Sequence, residues 1–266
     1  MLYDDMTVIV FEGPKDAQEL HIYGLGDMHV GAPGWDEALT LKKVQRILDD
    51  PVGYVHLCGD LMNNGLKNSK TNTYMETMMP MEQKLWIVDN LAPLVPRIIS
   101  AVPGNHEDRT TREVGLSPMY DIMAMWQIED RYRENLALSI VRFGKQDDNR
   151  SNIYGGLCTH GSSRLKHQKF ITGFDGIDYA ISGHNHTPNY AARGKIQLDQ
   201  QHNTARHLAY HEIVVDPGLK PSDYALKHEY QLSAPPRMDY LVLHEMRRGR
   251  GTRKRVKSID YCNVQL

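Results

Sequence analysis

Five short stretches of this 266-residue chain set acidic, amide or imidazole side chains beside glycine, each directly after an apolar run. They are GDMHVG (26–31) after HIYGL, GD (59–60) after YVHLC, GNHE (104–107) after RIISAVP, HG (160–161) after YGGLCT, and GHNH (183–186) after DYAIS. Carboxylate oxygens and imidazole nitrogens are metal donors, and Asp27, His29, Asp60, Asn105, His160, His184 and His186 make seven candidates. That is too many for one tetrahedral ion and suits two divalent ions sharing a bridging carboxylate. In extended chain, residues i and i+2 point to one side, so Asp27 with His29, and His184 with His186, can each aim two donors at one centre. The glycines let the backbone turn sharply and approach an ion or a phosphate. Two divalent ions bring +4 and the two aspartates −2, so a net charge near +2 would attract phosphate. Four imidazoles in the set favour Mn, Fe, Zn, Co or Ni over a pure Mg or Ca site, with Mn²⁺ the first choice for assay. A single D-x-H or G-D pair, or two histidines among thirteen, is common without a metal. The argument rests on five blocks recurring at one relative place.

That place must be built by the elements that precede it. β-branched and aromatic content predicts strands at 7–11, 19–27, 54–60, 97–105, 136–143, 152–160 and 177–183. Apolar periodicity predicts helices at 36–48, 73–92 and 117–128, with Pro80 kinking or splitting the second. From Asn189 on the chain reads as strand-rich, interrupted by a short helical stretch near 221–229. Strands alternating with helices imply parallel βαβ units in the first half, and the later run of strands implies hairpins. Two packed mixed sheets flanked by helices satisfy both halves, with ligands in the crevice beyond the carboxyl strand ends.

Composition narrows the class. The chain is 41% hydrophobic, enough for a real core, and shows no repeat or long linker, so a single domain over residues 1–266 is expected. Its net charge of −2 gives no global reason to expect nucleic acid or an anionic membrane as partner. Cys58, Cys158 and Cys262 are too few and too far apart for a disulfide framework or a C-x-x-C metal pattern, which fits a reducing cytoplasm. No apolar run approaches the roughly 20 residues of a membrane span, and the first residues lack a basic-then-apolar signal pattern. His56 reads as a hydrogen-bonded core histidine, Cys58 and Cys158 as small buried side chains, and Tyr210 and His211 either line the cleft or pack.

The five blocks resemble the pattern D-x-H, GD, GNH(D/E), H, GHxH of the calcineurin-like metallophosphoesterases, in order and over residues 26–186, about 60% of the chain. The resemblance implies an α/β fold, a four-layer α-β-β-α sandwich of two mixed sheets flanked by helices. It implies that Asp27, His29, Asp60 and His186 hold one metal, that Asp60, Asn105, His160 and His184 hold the other, and that His106 is the general acid. A hydroxide held between ions roughly 3.5–4 Å apart would attack phosphorus in line while His106 protonates the leaving alcohol. Glu107 or Asp108 is then expected to orient His106. Asn64 is a candidate substrate contact, and Arg109 either reaches a phosphate oxygen or is a solvated loop arginine. Protein serine/threonine phosphatases of this superfamily carry D-R-G where this chain has Asn63-Asn64-Gly65. GHxH is more typical of phosphodiesterase-like and nuclease-like members, and VVDPG (214–218) resembles the NPGS segment of small prokaryotic ones. The expectation is a bacterial or phage phosphodiesterase acting on nucleic acid or nucleotides. Its rivals are a phosphomonoesterase for a small metabolite, nucleotide or protein, and a non-catalytic scaffold of the same fold.

One feature lies outside those blocks. MRRGRGTRKRVK (246–257) holds seven cationic side chains around two glycines, between two predicted strands. It reads as a basic hairpin whose Arg247, Arg248, Arg253 and Arg255 contact a DNA or RNA backbone. It reads equally as a solvated turn, or as a contact with an acidic partner surface such as a second subunit.

Overall fold

A computed structural model describes residues 6–67, 69, 73–145, 151–201, 203–220, 235–248 and 255–266. Strands β1 (Ile9–Glu12), β2 (Glu19–Leu25), β3 (Gly53–Leu57), β4 (Ile98–Ala101), β5 (Leu136–Phe143), β6 (Asn152–Thr159) and β7 (Tyr179–Ser182) overlap the predicted strand regions, β1 running one residue past its expected end and β3 starting one residue early. They are followed by a long hairpin, β8 (Asn189–Asp199) and β9 (Thr204–Val214), and by β10 (Arg237–His244), β11 (Arg247–Arg248), β12 (Arg255–Val256) and β13 (Ile259–Gln265). The short helical stretch expected near 221–229 lies outside the described residues.

The larger strands form two mixed sheets, one in the order β1-β5-β6-β7-β9-β8 and one in the order β13-β10-β2-β3-β4. Pairing is parallel between β2, β3 and β4, and between β6, β7 and β9. Parallel pairing brings the carboxyl ends of neighbouring strands to one edge, so the motif-bearing loops of each sheet emerge together. The inner faces meet through a core containing Ile22, Cys58, Ile99, Val141, Cys158, Ile181 and Ile213. Strand β7, buried at all four positions, reads as a continuous apolar run, whereas β5 alternates half-buried with buried residues.

Helices α1 (Glu37–Asp49), α2 (Pro80–Leu91) and α4 (Pro118–Met125) cover the outer face of the five-stranded sheet, packing Val44, Ile47, Ile87, Leu91, Ile122 and Met123 against Leu25, Val55 and Leu57. Asp36 caps α1 by accepting the Leu39 N–H at 3.1 Å. Pro80 splits the predicted 73–92 helix: α2 starts at Pro80 itself, where a missing N–H costs nothing, and a single 3₁₀ turn at Thr73–Met75 precedes it. On the other side α5 (Arg164–Ile171) covers the six-stranded sheet, where Ile171 joins Leu157, Ala180 and Tyr210. The layers are therefore helix, sheet, sheet, helix.

Helix α3 (Glu107–Val114) and α5 were not predicted. In α3 only Glu107 is buried, so EDRTTREV carries no apolar stripe from which periodicity could announce a helix. No helix among the described residues is long and apolar enough to cross a membrane.

Candidate metal centre

The seven candidate donors come from both sheets. Asp27 and His29 follow β2, Asp60 follows β3, and Asn105 follows β4, while His160 follows β6 and His184 and His186 follow β7. The extended i, i+2 geometry expected for the paired donors is not what the backbone does. Asp27, His29, Asp60, His184 and His186 all have left-handed φ, between 49° and 72°. Among the described residues eight non-glycine positions have positive φ, and Asn64 makes six of the eight in these loops. Such conformations cost of order 1–3 kcal/mol each and persist where the surroundings enforce them. Here backbone bonds enforce them: Asp27 N–H donates to Gly59 O at 3.0 Å, His29 N–H to Asp60 O at 3.0 Å, and His184 N–H to the Asp27 carboxylate at 2.8 Å. The kinks stop each strand and turn successive donors towards one point.

That point is crowded with acceptor atoms. His29 Nε2 lies 3.1 Å from His186 Nε2, and His184 Nδ1 lies 3.2 Å from His160 Nε2. Asn105 Oδ1 is 3.0 Å from His184 Nδ1 and 3.1 Å from His160 Nε2. Asp60 Oδ2 reaches both groups, at 3.3 Å from His160 Nε2 and 3.8 Å from His29 Nε2, while Asp27 Oδ1 is 3.6 Å from His186 Nε2. Asp27, His29 and His186, and separately Asp27, Asp60 and His160, have donor atoms within 4.8 Å of one another. Ligands bonded at about 2.1 Å to one ion sit about 3 Å apart, so the set has the spacing of a coordination shell. His160 also donates its Nδ1–H to Cys58 O at 2.8 Å, which leaves the Nε2 lone pair facing the centre. These residues fit divalent metal.

The electrostatics agree. Burial opposes ionisation of Asp60, but the His160 hydrogen bond and the imidazoles of His160, His29 and His106 hold its carboxyl well below the usual carboxylate range. Asp27 is likewise held low, burial being outweighed by His186. Burial drives His29 down to about 3, so its ring is a neutral donor, whereas His160, despite burial, is raised to about 10 by Asp60.

Residues 20–212, more than half the chain, match the family model for calcineurin-like phosphoesterase. The chain belongs to this family. Its members are metal-dependent and act on phosphoesters. Among curated proteins none matches the sequence. Three solved structures align over most of the chain at low identity. A conserved protein from Streptococcus pneumoniae TIGR4 described as a predicted phosphoesterase shares 10% identity over 91% of this chain and 88% of its own, with a TM-score of 0.40. Vps29 of Chaetomium thermophilum shares 9% over 92% and 98%, with a TM-score of 0.38. A protein from Staphylococcus aureus described as a 5'-nucleotidase, in complex with alpha-ketoglutarate, shares 12% over 93% of this chain but 54% of its own, with a TM-score of 0.38. The family assignment rests on the family model, not on these alignments.

Around the donors this calcineurin-like phosphoesterase corrects several expectations. His106 stands beside the centre, its Nε2 3.9 Å from Asp60 Oδ2, but neither Glu107 nor Asp108 orients it. Arg109, which can only donate, gives an N–H to His106 Nε2 at 2.9 Å, so the ring proton sits on Nδ1 and is donated to Asn63 O at 2.7 Å. Arg109 also donates to Asn63 O at 3.0 Å, so it is a cleft residue rather than a solvated loop arginine. Glu107, fully buried, accepts from the backbone N–H groups of Asp60, Gly104 and Met62 at 2.9, 2.8 and 3.0 Å and so joins two of the donor loops. Asp108 pairs with Arg112 at 3.6 Å. Asn64 is not a substrate contact: only 1% exposed, it spends its amide on His106 O at 2.6 Å and on the Thr110 hydroxyl. The sequence signal missed at Asn64 and Glu107 is that both sit inside motif loops whose backbone needs partners.

His56 is a core histidine, bonded to Ser100 Oγ at 2.7 Å and Tyr179 OH at 3.0 Å. Tyr210 packs under α5, and His211 bonds Tyr190 OH at 3.0 Å, so neither lines the centre. The basic hairpin is not brought to the metal loops. Strand β10 runs antiparallel to β2 with His244 opposite Glu19, so β11 and β12, carrying Arg247, Arg248 and Arg255, leave the opposite end of the sheet. The six steps from Glu19 to Leu25 put them roughly 20 Å from the donors. Arg253 lies outside the described residues.

Proposed function

We propose that this phosphoesterase is a two-metal phosphodiesterase acting on a nucleic-acid or nucleotide ester, with Asp27, His29, Asp60 and His186 holding one ion and Asp60, Asn105, His160 and His184 the other. The observation that carries the reading is the convergence of all seven donors from two sheets at ligand-shell spacing. Divalent ions there, Mn²⁺ being the first to assay, would supply Lewis acidity and a nucleophile available near neutral pH.

The chain's own groups supply the rest. With Nδ1 held by the Asn63 carbonyl, His106 Nε2 is the nitrogen that exchanges a proton with the leaving oxygen. Burial first, and the Arg109 charge after it, lower the His106 pKa despite the pull of Asp60, so the ring rests neutral with Nε2 unprotonated and must take up a proton there before giving it to the leaving oxygen. As substrate enters, Arg109 leaves Nε2 for a phosphoryl oxygen, where a guanidinium binds in its preferred geometry. A diester carries a second substituent, and a cavity of about 280 Å³ beside His160 and His184 gives it a place. The hairpin, roughly 20 Å away, contributes to nucleic-acid binding only if the strand runs along the sandwich.

Rates on bis-p-nitrophenyl phosphate and p-nitrophenyl phosphate with Mn²⁺ test the diester reading; faster monoester cleavage would favour the phosphatase alternative. His106→Ala is expected to keep its metal content while kcat falls about 10²- to 10⁴-fold. Full turnover in that variant would remove His106 from the mechanism.

A further inference from the structure

The cavity beside the metal centre has walls of unusual character for an enzyme that binds an anion. It shares Asn105, His160 and His184 with the centre, and its lining also holds Asp108, Arg112, Glu134 and Ser162. The lining thus holds two carboxylates and one guanidinium, of which Asp108 pairs with Arg112 at 3.6 Å. A second phosphate in this space would meet the charges of Asp108 and Glu134. A cationic group would meet Arg112. Uncharged hydroxyls suit it: a carboxylate only accepts, so each can take an O–H, while Arg112 and Ser162 can donate to the ring and hydroxyl oxygens. The volume, about 280 Å³, lies below the roughly 300–1,000 Å³ of drug-sized ligand sites and suits a single ring.

We propose that this cavity is a sugar subsite, in which Asp108 and Glu134 accept hydrogen bonds from the vicinal hydroxyls of a sugar esterified to the scissile phosphate. The proposal rests on the phosphodiesterase reading and narrows it: the preferred substrate is a ribonucleotide-type ester rather than a run of phosphates continuing through the cavity.

The test compares kcat/KM for the p-nitrophenyl ester of uridine 5'-monophosphate, its 2',3'-dideoxy analogue and bis-p-nitrophenyl phosphate on the Mn²⁺-loaded enzyme. A site built around hydroxyls is expected to favour the ribose ester over the dideoxy ester by about tenfold or more. Asp108→Asn and Glu134→Gln should each cut that preference by about fivefold. Calorimetric titration of uridine and 2',3'-dideoxyuridine, with and without Mn²⁺, reads the same preference without turnover. Equal binding of the two nucleosides, or a preference untouched by both variants, would overturn the subsite. If the wild-type enzyme turns over none of these esters, the phosphodiesterase reading fails instead, and the titration still decides whether the cavity binds a sugar.

Discussion

Glu107 shows how much of this site depends on residues that never face a ligand. Its carboxylate is fully buried and holds three backbone N–H groups, those of Asp60, Met62 and Gly104. Burial and the Asp60 charge push its pKa up, and the N–H donors restrain that rise. Glutamine would keep one acceptor oxygen and turn an NH₂ towards N–H donors. Glu107→Gln is therefore expected to cost about 3 kcal/mol, read as a shift in the denaturant midpoint. An unchanged midpoint would mean that the three bonds contribute nothing net. Asn64 teaches the same lesson: its amide closes the start of α3 onto the preceding loop, so a polar residue in a motif was structural rather than a substrate contact.

At the scale of elements, the site is five strand ends and the turns that stop them. Left-handed backbone at Asp27, His29, Asp60, His184 and His186 is affordable because the loops of one sheet brace those of the other, as the His184 N–H on Asp27 does. Glycine enters where loops nearly touch. A Cβ on Gly104 would overlap the Asp60 carboxylate and backbone nitrogen, and one on Gly183 would sit 2.5 Å from Asp27 Oδ2. Gly104→Ala is expected to leave the fold intact at a cost of about 1–3 kcal/mol while weakening Mn²⁺ binding about 10- to 100-fold. Calorimetric metal titration beside a thermal melt checks this; a loss of stability with undiminished metal affinity would show that Gly104 serves the fold alone.

Over the whole molecule the two ends of the sandwich do different work. The metal loops cap one end, while at the other a polar cluster ties α1 to β2: His21 Nδ1 meets Asp50 Oδ2 at 2.6 Å, and Tyr23 OH donates to the same carboxylate at 2.7 Å. Burial opposes charging His21, yet Asp50 and Glu19 raise its pKa; burial also opposes charging Asp50, yet His21 and Tyr23 lower its pKa. A raised imidazole pKa stabilises the fold below the ordinary value of about 6.5, and that gain is lost as pH rises through the folded value. A lowered carboxyl pKa stabilises above the ordinary value of about 4, and that gain is lost as pH falls. The pair therefore contributes most between about pH 4 and 6.5. The stability gap between wild type and His21→Gln, from urea unfolding, should be wide near pH 5.5 and narrow by pH 9. A gap independent of pH would show that the contact is not ionic.

The chemistry was legible in the sequence because metal donors are a short list of residue types and glycine marks where the backbone must bend. Asp27, His29, Asp60, Asn105, His160, His184 and His186 could be collected from five strand ends, and the alternation of strands and helices indicated two layered sheets. Helix α3 was not legible, since its one buried side chain, Glu107, is polar and held by distant loops. Nor was the position of the basic hairpin, because local composition is silent about which end of β2 the antiparallel β10 reaches. Residue type and spacing determined which atoms could hold metal. Only the tertiary structure decided which groups face the cleft and which are consumed inside it, because a hydrogen bond spent on a distant backbone leaves no trace in the neighbouring residues.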